Sequence, residues 1–140
     1  MVTKTKLTVR YAETDQMAIV HHSNYPIWYE AGRTDFIKAF GMSYTEIEEQ
    51  GVMFPLLELH CKYIQAARYE DVVIIETTLT KLSMVKAEFS YKVYRERDGV
   101  LLNTGSTVHG MVSKELRPMN MKKEKPEIYQ MMEKALYKEA

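Results

Sequence analysis

The period of apolar positions changes along the chain and divides it into elements. Leu7-Thr8-Val9-Arg10-Tyr11 alternates, as a strand with one buried face does. From about residue 24 to residue 40 the period lengthens. Tyr25, Trp28, Gly32, Phe36 and Phe40 recur at steps of three and four, one apolar stripe on a long helix. Ser23 or Asn24 is expected to cap this helix. Pro26 suits its first turn, where backbone donors have no intrahelical partner, and Gly41 ends it. Gly32 costs the helix roughly 1 kcal/mol relative to Ala, which close packing against a sheet would explain. Ser43-Tyr44-Thr45-Glu46 reads as a capping box for a short helix to about Gln50, with Gly51 as its stop.

Beyond Gly51 the pattern turns β-rich over residues 52–65, 71–82, 85–95 and 100–113. Phe89, Tyr91 and Val93 alternate with Glu88, Ser90 and Lys92, and Asp98-Gly99 marks a hairpin between the last two strands. Pro126 opens a C-terminal helix, expected within 124–140, on which Ile128, Met132, Ala135 and Leu136 share a face. Long strands joined by short turns imply an antiparallel sheet, so the class is α+β, with a curved sheet wrapped around the long helix. The last strand carries the small residues Thr104, Gly105, Ser106 and Thr107. It is expected to be a flat edge that pairs with a second copy, giving a homodimer.

With 140 residues, 46% of them hydrophobic and 27% charged, the chain is expected to form one globular domain over 1–140. Lys plus Arg and Asp plus Glu balance at 19 each, which argues against a general nucleic-acid partner and permits self-association. Cys61 is the only cysteine, so there is neither an internal disulfide nor a Cys-rich metal site. Its apolar strand setting reads as packing, and no Gly-x-Ser-x-Gly elbow offers another nucleophile. The N-terminus lacks an apolar signal core and no run of about eighteen apolar residues occurs, so no membrane association and a cytoplasmic location are expected.

The chemistry concentrates between Thr14 and Tyr25. Asp15 follows a strand, a short irregular loop comes next, and His21-His22-Ser23-Asn24 leads into the long helix. A carboxylate facing the partly positive end of a helix suits attack on a polarised carbonyl. On spacing alone Asp15 reads first as a turn aspartate that satisfies backbone donors. The flanking residues move the reading toward catalysis. His21 and His22 project in different directions and no ligand spacing accompanies them, so no metal is expected, and His60 and His109 read as structural.

Arg10-Tyr11, the segment Thr14-Asp15-Gln16-Met17-Ala18-Ile19-Val20 with His22, Asn24 and Tyr25, and Glu30-Ala31-Gly32-Arg33-Thr34 carry a family resemblance. So do Ala67-Arg68-Tyr69-Glu70-Asp71 and Thr104-Gly105-Ser106-Thr107-Val108-His109. Over about residues 5–120 the chain resembles the hotdog-fold acyl-CoA thioesterases, specifically the 4-hydroxybenzoyl-CoA thioesterase group and its YbgC-like relatives. Ala18 stands where that family often has Gly, and Ala66 where a proline is usual; neither change removes a chemical group.

The resemblance implies a hotdog fold and hydrolysis of acyl-CoA to free acid and coenzyme A, without a cofactor. It makes Asp15 the general base or nucleophile. It also implies that the backbone N–H of His22 points at the thioester oxygen, with the ring available for a hydrogen bond or proton relay. Tyr25 is the substrate-binding candidate on the helix, although an aromatic stripe is first of all core. Arg117, Lys122, Lys123 and Lys125 form a basic stretch suited to coenzyme A phosphates. The site is expected between protomers of a homodimer or tetramer. Two other readings remain open: the same chemistry on acyl carrier protein thioesters, and a non-catalytic acyl-binding or scaffold module.

Overall fold

The computed structural model describes residues 1–138. Strand β1 (Val2–Thr8) is followed by a 3-10 turn (Tyr11–Glu13), the long helix α1 (Asn24–Phe40) and the short helix α2 (Tyr44–Glu49). Strands β2 (Leu56–Tyr63), β3 (Val72–Leu82), β4 (Lys86–Arg95) and β5 (Leu101–Gly110) come next, then helices α3 (Met121–Glu124) and α4 (Pro126–Ala135). All strand pairs are antiparallel, in the spatial order β1-β3-β4-β5-β2, and α1 packs on the inner face of the sheet.

Helix α1 has the bounds its apolar stripe predicts. Tyr25, Trp28, Tyr29, Gly32, Phe36 and Ile37 are buried on it, against Val73, Ile75, Phe89 and Tyr91 of the sheet. At Gly32 the helix backbone lies close against the sheet. A Cβ there would fall 2.5 Å from Thr77 Oγ1 and 3.0 Å from Ile75 Cγ2. Neither Ser23 nor Asn24 caps the helix with its side chain. Ser23 Oγ pairs with His21 Nδ1 at 2.8 Å, and Asn24 Nδ2 donates backward to the Glu13 and His21 carbonyls. The expected capping box does form at α2, where Ser43 Oγ accepts from the Glu46 N–H at 3.1 Å.

Three expectations are corrected. The first strand begins at Val2 and ends at Thr8, because its register with β3 runs from Val2↔Thr78 to Thr8↔Val72 and the 3-10 turn then diverts the chain. The C-terminal helix is 126–135, with Leu136 beyond it bridging to Leu79; residues 139–140 of the expected span lie outside the described residues. Most consequentially, β5 is not an edge. It lies between β4 and β2, and β2 forms the edge on that side, paired with β5 from Leu56↔His109 to Tyr63↔Asn103. The small residues of β5 serve the helix instead. A Cβ on Gly105 would fall 2.6 Å from the His60 carbonyl oxygen and collide with the Tyr29 phenol.

A polar chain crosses this interior. Arg33 Nη1 donates to Tyr91 Oη at 3.1 Å, Tyr91 Oη meets Thr107 Oγ1 at 2.6 Å, and Thr107 Oγ1 meets His109 Nε2 at 2.9 Å. His109 Nδ1 contacts the Phe54 carbonyl oxygen at 3.2 Å. A guanidinium can only donate and a carbonyl can only accept, so both ends fix the direction: Tyr91 donates to Thr107, and Thr107 to His109. His109 is therefore a satisfied structural histidine.

Candidate active site

The loop after the 3-10 turn closes on itself. The Asp15 N–H donates to the Ile19 carbonyl at 2.9 Å, the Ala18 N–H to the Asp15 carbonyl at 2.9 Å, and Thr14 bridges to Val20. This tight reversal holds Ala18 at φ 60°, a left-handed conformation that favours glycine. Here the family's usual Gly has a physical reason. The second motif buttresses the loop from outside: the Val20 N–H donates to the Ala67 carbonyl at 2.8 Å, and Arg68 Nη1 reaches the Ala18 carbonyl at 3.4 Å.

Asp15 is half-buried. Its Oδ1 accepts from the Met17 N–H at 2.8 Å, an Asx turn that fixes the side chain. Oδ2 takes no hydrogen bond among the described residues. One oxygen is thus anchored and the other is free to act as a base or nucleophile.

The His21–Ser23 turn precedes α1. The His21 N–H donates to the Glu13 carbonyl, and Asn24 and Tyr25 donate to the carbonyls of His21 and His22. Between them, the His22 N–H has no partner among the described residues and sits at the positive end of a 17-residue helix. The His22 ring is exposed and lies tilted against His21, with ring centroids 4.1 Å apart.

Asp15, His22 and Tyr25 line one cleft of about 290 Å³, together with Met17, Ile19, Tyr63 and Ile64. The structure therefore brings all three sequence candidates together. Tyr25 is only 3% exposed and packs 4.7 Å from Trp28, so most of its ring is core. Burial raises the Tyr25 hydroxyl above its ordinary pKa.

Tyr63 is a cleft residue that sequence reading missed. It lies on edge strand β2, meets Tyr25 edge-on at 5.2 Å, and donates its hydroxyl to the His22 carbonyl at 3.1 Å. Its alternation with Leu59 and Cys61 on one face was the available signal. Glu13 was missed as well. It is 5% exposed, and its carboxylate accepts from the Arg10 N–H at 2.8 Å and from Trp28 Nε1 at 2.9 Å.

The basic stretch is not brought to this cleft within one chain. Val112 bridges both Met53 and Pro118, which places residues 117–125 beyond the Leu56 end of β2, whereas the cleft lies at the Tyr63 end. Seven strand steps separate those ends, about 23 Å. Among the described residues no three His, Cys, Asp or Glu side chains converge as metal ligands. No helix among them is long and apolar enough to cross a membrane.

A long helix laid in a curved five-stranded antiparallel sheet is a hotdog fold, and Asp15, His22 and Tyr25 share one cleft at the start of that helix. Residues 9–136 match the family model described as the thioesterase-like superfamily. A Bacillus subtilis protein named "Putative acyl-CoA thioesterase YneP" is 35% identical over 135 residues, covering 96% of this chain and 97% of the relative. Among solved structures, a DHNA-CoA thioesterase from Staphylococcus aureus superposes with a TM-score of 0.90 at 30% identity, covering 95% of this chain and 89% of that one. The Thermus thermophilus hypothetical protein TT1821 gives 0.89 at 38% identity, covering 99% and 100%. This chain belongs to the thioesterase-like superfamily, as a hotdog-fold, YbgC-like member of its acyl-CoA thioesterase group. Its enzyme class is thioester hydrolase.

Proposed function

We propose that the protein, acting as one domain in the cytoplasm, hydrolyses acyl-CoA thioesters at the Asp15 cleft. The free oxygen of Asp15 takes a proton from water or attacks the thioester carbonyl itself. The His22 N–H and the α1 dipole hold the negative charge that develops on the carbonyl oxygen. Collapse of the tetrahedral species expels the coenzyme A thiolate and leaves the free acid, directly or after hydrolysis of an acyl-Asp15 intermediate. Tyr25 and Tyr63 form the aromatic wall against which the acyl group rests. The observation that carries this reading is the shared cleft, with one carboxylate oxygen and one N–H at a helix start that find no partner among the described residues.

A homodimer fits the same site. Edge strand β2 exposes Leu56, Leu57, Leu59 and Tyr63, at 50, 51, 40 and 49%. A long apolar edge of this kind favours pairing with another copy. Antiparallel pairing of β2 with itself would bring the Leu56 end of one copy, and the basic stretch near it, toward the Tyr63 end of the other. Coenzyme A phosphates would then lie within reach of Arg117, Lys122, Lys123 and Lys125.

The test is thiol release from acyl-CoAs of increasing aliphatic length plus one aromatic, beside the same acyl chains on acyl carrier protein, with the oligomer sized in parallel. Turnover of the coenzyme A thioesters by a dimer or tetramer is the expected result. Turnover of carrier-protein thioesters alone would replace the substrate, and tight binding without turnover would make this a binding module.

A further inference from the structure

Glu13 joins the segment leaving β1, the turn before α1 and the first turns of α1, three of the pieces around the cleft. Its Oε1 accepts from the Arg10 N–H at 2.8 Å and lies 3.5 Å from Arg10 Nε, on the segment leaving β1. Its Oε2 accepts from Trp28 Nε1 at 2.9 Å, one turn into α1. Its backbone carbonyl accepts from the His21 N–H at 2.8 Å and from Asn24 Nδ2 at 2.9 Å. Two residues onward along the chain stands Asp15.

We propose that Glu13 is a positioning residue for thioester hydrolysis, fixing the Asp15 carboxylate relative to the His22 N–H without touching substrate. The assignment rests on the reading of Asp15 and His22 given above. The carboxylate is buried, and both of its oxygens are used as acceptors on two different elements. A carboxylate can do this and an amide cannot, because one of its two heads is itself a donor. Hydrogen bonds to a carboxylate are the short, strong kind, and inside a protein they hold geometry better than neutral ones. The chain from Glu13 to Asp15 is only two residues long, and the His21 N–H is bound to the Glu13 carbonyl. A shift of Glu13 therefore moves the attacking oxygen and the polarising N–H relative to each other. Misplacement on the order of 1 Å between reacting groups costs up to about 100-fold in rate.

Glu13→Gln keeps the size and one acceptor but sets an NH2 against an N–H. Trp28→Phe keeps an aromatic ring, removes the Nε1 donor and trims part of a buried ring, so its melting temperature is measured beside its rate. Steady-state thioester hydrolysis is measured for wild type, E13Q, W28F and the double variant, well below the melting temperature of the weakest. E13Q is expected to lower kcat about 10- to 100-fold with KM within about threefold, because the loss appears only in the transition state. W28F should lower kcat in the same direction by less, and the double variant should lose less than the product of the two. Wild-type kcat in folded E13Q would overturn the proposal, as would a loss carried by KM or strictly multiplicative effects. Should E13Q fail to fold, W28F decides alone, and unchanged kcat there overturns the proposal. An Asp15→Asn control separates the two claims. Activity retained in that control refutes the site itself, whereas its loss together with an unaffected E13Q refutes only the role of Glu13.

Discussion

The Tyr63 hydroxyl donates to the carbonyl oxygen of His22 at 3.1 Å, tying the edge strand to the turn that presents the helix-terminal N–H. Partial burial raises the pKa of this phenol, so it remains a donor throughout the neutral range. Tyr63→Phe keeps the edge-on contact with Tyr25 and deletes only the bond. A net hydrogen bond is worth about 0.5–1.5 kcal/mol, so kcat/KM should fall about 2- to 10-fold with little change in melting temperature. Initial rates on one acyl-CoA, beside a thermal melt, check this.

Ala18 stores backbone strain at φ 60°. A left-handed non-glycine residue costs about 1–2 kcal/mol, while glycine gives back roughly 0.5–1 kcal/mol in chain entropy. Ala18→Gly should therefore stabilise the protein by about 0.5–1 kcal/mol, read as a higher urea midpoint at unchanged slope.

His109 is held neutral. Burial first, and then the charge of Arg33, lower its pKa from 6.5 to about 4, against a smaller opposing effect of the Phe54 carbonyl. The unfolded chain takes up this proton near pH 6.5 and the folded protein only near pH 4. Stability from this group is thus complete above about pH 6.5 and is lost as pH falls toward 4, by roughly 3 kcal/mol in all. His109→Gln removes that titration. The drop in urea midpoint between pH 7 and pH 4.5 should be larger in wild type than in the variant.

Much of this fold was legible in the sequence because it follows from local rules. The stripe from Tyr25 to Phe40 and the stop at Gly41 set the bounds of α1, and Ser43 with Glu46 announced α2. Strand order was not legible. The chain from Gly41 to Pro55 carries β2 across to the far side of β5, and nothing in the run of small residues at 104–107 says that Tyr29 of α1 needs that space. The candidate site was readable where one segment holds it, from Asp15 to Tyr25. Tyr63 escaped because it arrives from 38 residues beyond Tyr25 in sequence and belongs to the site only through the β2–β5 pairing. Glu13 carried a signal, the three-residue spacing from Arg10 that closes the 3-10 turn. Its bond to Trp28 is tertiary and had none.

In the proposed reaction one carboxylate oxygen drives hydrolysis while a backbone N–H receives the charge. The most direct measurement is thiol release by wild type, Asp15→Asn and His22→Ala on the best acyl-CoA substrate. Loss of a general base costs about 10²–10⁴ in rate, so Asp15→Asn should be nearly silent. His22→Ala keeps the N–H and should retain far more activity. Activity in Asp15→Asn above about a tenth of wild type, far short of the expected loss, would contradict the account.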